Sequence, residues 1–185
     1  MNKKVLIGIA DGTEELEAVT IIDVLRRANI DVTVASVAPG HEIECSRGVR
    51  LVADKLIGEC VAEDWDAIMV PGGMPGAQNL SDHEAFVSLL KQQHSSGKLI
   101  AAICAAPYVV LACHGLLEGK SATAYPGFRE DLTTVGVTPS DEVVVIDGNI
   151  ITSQGPGSAM QFALALVTKL CGDEVSHQVA DDLLV

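Results

Sequence analysis

Residues 99–112 read LIAAICAAPYVVLA and carry the strongest structural signal in the chain. LIAAI is a short apolar run typical of a strand buried on both faces, and the residues from 105 to 113 are expected to be helical. Cys104 stands at the junction, with the small residues Ala102 and Ala106 two positions away on either side. The pattern therefore predicts a strand that turns sharply into a helix, with a cysteine at the turn.

The rest of the chain repeats this alternation of apolar strands and helical stretches, separated by Gly, Pro and Asp clusters. Such a pattern is typical of βαβ units around a parallel sheet, and the length favours a single α/β domain over residues 1–185. Asp147 and Gly148 indicate the turn of a hairpin. Predicted strands are 4–10, 31–37, 65–73, 99–103 and 121–124, with hairpins at 41–54 and 143–153; predicted helices are 16–29, 82–96, 105–113, 155–172 and 173–183.

Composition excludes several classes of protein. Apolar residues make up 48% of the 185 residues and aromatic residues 3%, which favours a core of Val, Ile, Leu and Ala over disorder. The formal net charge of −13 would repel nucleic-acid phosphates and anionic membranes. The longest apolar run, 99–113, is too short for a membrane span and contains Pro107. We therefore expect neither nucleic acid nor a membrane as a partner.

The five cysteines favour a reducing compartment. Their number is odd, and they form no Cys-x-x-Cys pair and no Cys/His spacing typical of zinc, so we expect no metal site. The apolar run at 5–10 leads directly into acidic residues, which does not fit a signal peptide. These observations predict a cytoplasmic protein.

Cys104 is the leading candidate for a functional residue. Amides at the start of a helix stabilise a thiolate, so we expect a reactive cysteine here. The carboxyl ends of parallel strands meet at one edge of a sheet, which would bring the PGG turn at 71–73 and the glutamates of 14–17 close to it. Glycine amides can stabilise an oxyanion, and one glutamate could hydrogen-bond the cysteine. Ordinary structural explanations stay open: a small buried cysteine, a tight turn, and acids that compensate the helix dipole.

Five motifs in order resemble the ThiJ/PfpI family, in the branch that contains the parkinsonism-associated deglycase and its bacterial relatives. The resemblance covers essentially the whole chain. It implies a flavodoxin-like three-layer sandwich with a mostly parallel sheet, and usually a homodimer. The motifs are GTEELEAVT at 12–20, CSRGV at 45–49, VPGG at 70–73, AAICAAP at 101–107 and TSQGPG at 152–157.

The resemblance also implies roles for individual residues. Cys104 matches the cysteine at the turn, and Glu17 matches a glutamate whose protonated carboxyl hydrogen-bonds that cysteine. Backbone donors that line the pocket match Gly72, Gly73 and Ala105. Residues near the site or the dimer interface match Glu14 and Arg47, and we place Cys45 and Tyr125 in the same region. A cation beside Cys45 would raise its reactivity, although a passive interface residue is the simpler interpretation.

The sequence departs from other branches of this family. Ala105 stands where the protease-like branch has a histidine, and none of the five histidines begins the late His-x-Glu pair of the amidotransferase branch. Tyr125 replaces a histidine found before the matching proline in some deglycase-branch members. His114 should be remote, about three helical turns beyond Cys104. No histidine base is left beside the cysteine, which disfavours acyl transfer of the serine-hydrolase type.

Two functions use the same cysteine and carboxyl. A thiolate could add to an α-oxoaldehyde and form a hemithioacetal that Glu17 helps rearrange to a hydroxy acid, which is glyoxalase or deglycase chemistry without a cofactor. Alternatively, Cys104 could be oxidised to a sulfinate in a redox-sensing, chaperone-like protein of oxidative stress. The expected partners are small α-oxoaldehydes or glycated groups and a second copy of the chain. A catalytically silent flavodoxin-like binding domain is the third possibility.

Overall fold

The computed structural model describes residues 2–185. Its strands are β1 (Lys4–Ile9), β2 (Asp31–Ser36), β3 (Glu42–Glu44), β4 (Arg50–Val52), β5 (Lys55–Leu56), β6 (Ala67–Val70), β7 (Leu99–Ile103), β8 (Ser121–Ala122), β9 (Thr138–Pro139), β10 (Val144–Asp147) and β11 (Ile150–Ser153). Within the described residues, seven of these strands form the central sheet in the order β10-β11-β7-β6-β1-β2-β5. All neighbouring pairs in it are parallel except β10 and β11, which form an antiparallel hairpin.

Helices cover both faces of this sheet. The helices are α1 (Glu15–Arg27), α2 (Gly76–Asp82), α3 (Glu84–Ser95), α4 (Pro126–Arg129), α5 (Asp131–Thr134), α6 (Ala159–Cys171) and α7 (Asp173–Leu183). On one face, α1 packs against α6, which packs against α7; on the other face, α2 and α3 pack together. The prediction of a flavodoxin-like three-layer α/β sandwich with a mostly parallel sheet is confirmed.

The sheet separates two apolar cores because successive side chains of a strand point to opposite faces. In β1, Val5 and Ile7 pack with α1 and α6, whereas Leu6 packs with the core that contains Phe86 of α3. All three β1 side chains are fully buried. Burial on both faces explains why the central strands are continuous apolar runs without alternation.

The structure corrects two predicted helices. The predicted helix at 82–96 begins only at Glu84, because His83 is extended and caps α3 through Nδ1, which accepts the N–H of Phe86; α2 precedes it. The segment after Cys104 is not a regular α-helix: Pro107–Leu111 forms one π-helical segment and Ala112–His114 one turn of 3₁₀-helix. Apolar composition does not distinguish these from an α-helix, since all three bury one face.

Both predicted hairpins are present. β3 and β4 pair antiparallel at the carboxyl side of the sheet, and β10 pairs with β11 around Gly148, whose φ of 64° suits the turn. No sequence pattern predicted β5, which has two residues and lies at the sheet edge. Among the described residues, no helix combines the length and apolar character needed to cross a membrane.

Two chain segments approach each other closely at the turn after β6. Gly73 has a φ of 88°, and a Cβ there would lie 2.4 Å from the carbonyl oxygen of Gly12 and 2.5 Å from the amide nitrogen of Glu14. Both atoms belong to the backbone of the turn after β1, so a side chain cannot be accommodated by a rotamer change. Gly73 therefore fixes the distance between the ends of β1 and β6.

We expect Gly73→Ala to lower the free energy of unfolding by about 3 kcal/mol or more, because left-handed strain and backbone overlap add. The matched control is Gly97→Ala. Gly97 also has a positive φ, of 67°, but open space around its Cβ position, so strain alone should cost about 1 kcal/mol. Urea unfolding followed by circular dichroism measures both. Equal losses of unfolding free energy in the two variants would contradict the close approach of Gly73 to the turn after β1.

Candidate active site

Three strand ends build the candidate site at one edge of the sheet. Cys104 directly follows β7, Gly72 and Gly73 follow β6, and Glu17 lies in the first turn of α1, which follows β1. Strands β1, β6 and β7 are neighbours in the sheet, so their carboxyl ends converge. The predicted meeting of these segments is present in the structure.

Cys104 adopts a strained backbone conformation. Its φ is 66°, in the left-handed region that non-glycine residues rarely occupy. Its N–H donates to the carbonyl of Ser153 at 3.0 Å, and its own carbonyl accepts from the N–H of Tyr125 at 2.8 Å. These two bonds tie the turn to β11 and to the segment before α4, which holds the strained residue in place.

Glu17 lies beneath the cysteine and is fully buried. Its Oε2 accepts the N–H of Gly72 at 2.8 Å, whereas Oε1 is buried without a conventional hydrogen-bond partner among the described residues. A hydrogen bond with the Cys104 thiol also lowers the pKa of this carboxyl.

Gly72 has a different role from the one expected. Its N–H is occupied by Glu17, so it holds the carboxyl and is not free to stabilise an oxyanion. A Cβ at this position would lie 2.6 Å from the Cβ of Cys104 and 2.9 Å from Oε2 of Glu17. Because Gly72 has no side chain, the cysteine and the glutamate can approach each other across it.

Burial changes the acidity of both groups. Desolvation raises the pKa of Glu17 from 4.5 to about 7, although the hydrogen bonds from Gly72 and Cys104 oppose it. Burial, followed by the negative charge and the hydrogen bond of Glu17, raises the pKa of the Cys104 thiol to about 12; the N–H groups of Gly73 and Ala105 oppose this rise. The two acids therefore hold one proton between them above about pH 7.

The expectation of a thiolate stabilised by a helix start needs correction. The helical segment after Cys104 is short and irregular, and beside an ionised Glu17 the thiol is a weaker acid than free cysteine. A thiolate requires that the proton move to Glu17, whose neutral carboxyl then faces the sulfur. Gly73 and Ala105 line the cavity beside Cys104, and hydrogen bonds from their N–H groups lower the pKa of its thiol.

Above Cys104 lies a cavity of about 390 Å³. It brings together four of the predicted residues, namely Glu14, Arg47, Gly73 and Tyr125, around the sulfur and Ala105. Sequence reasoning missed the remaining wall because single apolar or hydroxyl side chains in loops carry no distinguishing pattern. The missed lining residues are Ser46, Met74, Phe128 and Pro156.

Glu15 is the most important residue that sequence reasoning did not place. Its nearly buried carboxylate accepts the N–H of Arg47 at 2.9 and 3.1 Å and the hydroxyl of Ser46 at 3.0 Å. Burial raises the pKa of Glu15, but these hydrogen bonds outweigh it and the net pKa is lowered. Glu15 thus fastens the 45–49 loop to α1, and its position in the acidic run at 14–17 gave no signal for this role.

Cys45 does not lie in an activating environment. The side chain is buried in the core on the α1 face, and it is absent from the cavity wall. Burial and the charges of Glu15, Glu14 and Asp11 raise the pKa of its thiol to about 11. The suggestion that a neighbouring cation raises its reactivity is therefore wrong.

Histidine is missing from the cavity wall, as the sequence predicted. His114 instead contacts Ser81 through Nε2, at 3.0 Å from the hydroxyl and 3.1 Å from the carbonyl. Within residues 2–185, no group of three or more His, Cys, Asp or Glu side chains is arranged to hold a metal ion. The chemically active groups at this site are the thiol, the carboxyl and backbone amides.

Known proteins match this chain over most or all of its length. A model of the DJ-1/PfpI family matches residues 3–169. The chain is 43% identical to the protein dj-1beta of Drosophila melanogaster, covering 100% of this chain and 98% of that protein. It is 36% identical to the glutathione-independent glyoxalase DJR-1.2 of Caenorhabditis elegans, covering 94% and 91%. It is 45% identical to the DJ-1 homolog A of Arabidopsis thaliana over 99% of this chain, but spans only about half, 47%, of that relative.

Solved structures agree with these matches. The oxidized form of Toxoplasma gondii DJ-1 superposes with a TM-score of 0.95 at 46% identity, covering 98% of each chain. Drosophila melanogaster DJ-1beta superposes with a TM-score of 0.96 at 43% identity, covering 100% of this chain and 99% of that one.

The raised pKa of Glu17 predicts a pH-dependent stability. A carboxyl whose pKa rises on folding favours the folded state below pH 4.5 and loses that contribution as pH rises to about 7. Relative to Glu17→Gln, the wild-type free energy of unfolding should therefore fall by about 3 kcal/mol across this window. Urea unfolding between pH 4 and about pH 8 measures the difference.

The control for this experiment is Glu118→Gln, which changes an exposed glutamate outside the site. Its stability curve should parallel that of the wild type. Parallel curves for wild type and Glu17→Gln would mean that Glu17 ionises as readily in the folded protein as in the unfolded chain.

Proposed function

Because this chain belongs to the DJ-1/PfpI family, we propose that it protects cells from reactive carbonyls by converting α-oxoaldehydes, or their adducts on glycated groups, to 2-hydroxy acids. The observation that carries this proposal is the pairing of Cys104 with the buried Glu17 at the floor of an open cavity. The pair supplies a nucleophile and an acid–base group in contact. The C. elegans relative named as a glutathione-independent glyoxalase supports the same chemistry.

The first step forms a bond between the sulfur and the aldehyde carbon. Glu17 takes the thiol proton as the sulfur attacks and passes it to the aldehyde oxygen, which becomes the hydroxyl of a hemithioacetal. The N–H groups of Gly73 and Ala105, which already act on the sulfur, are placed to stabilise negative charge beside it. A pKa of about 7 suits Glu17 to accept and return a proton near neutral pH.

The second step moves hydrogen within the adduct. Glu17 removes the proton from the former aldehyde carbon and returns it to the neighbouring ketone carbon, while the hydroxyl proton of the hemithioacetal moves to the ketone oxygen. This leaves a thioester of the 2-hydroxy acid. Water then cleaves the carbon–sulfur bond and restores the thiol. One substrate carbon is oxidised and its neighbour is reduced. The net reaction therefore adds water to the oxoaldehyde to give the 2-hydroxy acid, and it requires no external redox partner or cofactor.

A homodimer belongs to the same proposal. Leu16 and Val19 lie three positions apart on α1 and are 53% and 46% exposed, and Val49 of the neighbouring loop is 46% exposed. These apolar side chains lie next to Glu14 and Arg47, which line the cavity. A second copy that covered them would also border the entrance to the cavity. We also propose that the chain acts as a single domain and that it acts in the cytoplasm.

Oxidation sensing is the second candidate function. Two equivalents of peroxide would convert the Cys104 thiol to a sulfinate, reducing each peroxide to water, and a protonated Glu17 together with two N–H groups would hold the new oxygens. The oxidized state of the similar Toxoplasma protein supports this alternative. The high pKa of the thiol slows this reaction as it slows addition to a carbonyl, because both reactions need the thiolate.

We expect wild-type protein to release lactate from methylglyoxal and Cys104→Ser to lose at least about a hundredfold in kcat/KM, since a hydroxyl is a much weaker nucleophile. Lactate is measured enzymatically in a buffer free of amines and thiols. Cys113→Ser is the control, because Cys113 is exposed and does not line the cavity. Turnover by Cys104→Ser at the wild-type rate would refute the catalytic role of the sulfur.

Peroxide titration distinguishes the two functions. If turnover is the main role, wild-type protein should release lactate from methylglyoxal, and after modest peroxide this activity should fall in proportion to the fraction of Cys104 that mass spectrometry shows to be oxidised. Two oxygens on Cys104 before any other cysteine is modified, together with no turnover, would instead favour the sensor.

A further inference from the structure

A second cavity adjoins the one above Cys104. Its volume is about 410 Å³, and it shares Tyr125 and Pro156 with the first cavity. The side chain of Tyr125 is 48% exposed between the two spaces. A molecule held at the sulfur could therefore extend past Tyr125 into the second space.

The second cavity differs from the first in charge. Glu14 and Arg47 line the first cavity, whereas the wall of the second contains no charged side chain among the described residues. An uncharged wall discriminates against ionic groups and suits a neutral ligand, because nothing there compensates the desolvation of an ion.

Its wall nevertheless offers hydrogen bonds. Nε2 of Gln154 donates to the carbonyls of Asp141 at 2.8 Å and Glu142 at 3.1 Å, which fixes the amide and leaves its oxygen as an oriented acceptor. Gln161 is exposed and adds a second amide. The Tyr125 hydroxyl is a third neutral group. Ser158 is already satisfied by Gly155 and Ser153, so it shapes the wall without offering a bond.

The first cavity alone is larger than a minimal substrate needs. At the roughly 30 Å³ that a water molecule occupies in the liquid, the few heavy atoms of methylglyoxal take about 150 Å³. That is less than half of the space above Cys104. Methylglyoxal thus leaves both the outer part of the first cavity and the whole second cavity unused.

We propose that the second cavity is a subsite for the neutral, hydroxylated tail of a longer, sugar-derived α-oxoaldehyde. The inference rests on the proposed function: the aldehyde reacts at Cys104, and the tail passes between Tyr125 and Pro156 toward Gln154 and Gln161. Hydroxyl groups match amide donors and acceptors without introducing charge. The reaction is unchanged, since water adds while one carbonyl carbon is oxidised and its neighbour reduced.

The test compares 3-deoxyglucosone, an oxoaldehyde with a hydroxylated tail, with methylglyoxal. Gly157→Leu places a side chain in the second cavity, where a Cβ meets no atom within 4 Å. We expect the ratio of kcat/KM for 3-deoxyglucosone to that for methylglyoxal to fall at least about tenfold. Gly40→Leu is the matched control, because Gly40 is exposed, equally open and outside both cavities, and its ratio should equal that of the wild type.

A second variant removes hydrogen bonds without filling space. Gln161→Ala should lower the same ratio about threefold or more, mainly through KM, because it weakens binding of the tail. An unchanged ratio in both Gly157→Leu and Gln161→Ala, or a wild type that acts on methylglyoxal alone, would overturn the subsite and leave the proposed function standing. A wild type that acts on neither aldehyde would overturn the proposed function, and the subsite with it.

Discussion

The contact on which the site depends is the approach of Cys104 to Glu17 across Gly72. A single methyl group at Gly72 would overlap both neighbours, and a methyl group at Gly73 would overlap the backbone of the turn after β1. Two consecutive residues without side chains thus allow the ends of β1, β6 and β7 to meet. The strained φ of Cys104 is maintained by the same packing, since its backbone bonds to Ser153 and Tyr125 leave the turn no other arrangement.

Two glutamates two positions apart in α1 show how local hydrogen-bond donors set the pKa of a buried carboxyl. Glu15 and Glu17 are both nearly or fully buried in α1, and desolvation raises the pKa of each. Glu15 receives several hydrogen bonds from the 45–49 loop, which stabilise its carboxylate and lower its pKa overall. Glu17 receives one backbone bond and the thiol, which is insufficient to offset burial. One carboxyl therefore stays ionised and fastens a loop, while the other exchanges a proton with the cysteine.

This division explains how a cysteine site can operate without histidine. Proton transfer needs a group whose pKa lies near the working pH, and burial brings a glutamate into that range. Both proposed reactions, with carbonyl compounds and with peroxide, begin from a sulfur that has passed its proton to Glu17. The cavity above the sulfur, with one acidic and one basic residue in its wall, then opens past Tyr125 into an uncharged space that can distinguish substrates by their tails.

Much of the fold was predictable from local pattern. Apolar runs such as 4–10 and 99–103 identify strands buried on both faces, and the spacing of Gly, Pro and Asp clusters identifies their order along the chain. The motifs also led to Cys104, Glu17 and the turn at 71–73. Sequence pattern could not show that the N–H of Gly72 binds Glu17, that Glu15 fastens the 45–49 loop, that Cys45 is surrounded by acids, or that the thiol has a raised pKa. Those properties arise from contacts between segments separated by tens of residues, because burial and hydrogen-bond partners are fixed only when the strand ends converge.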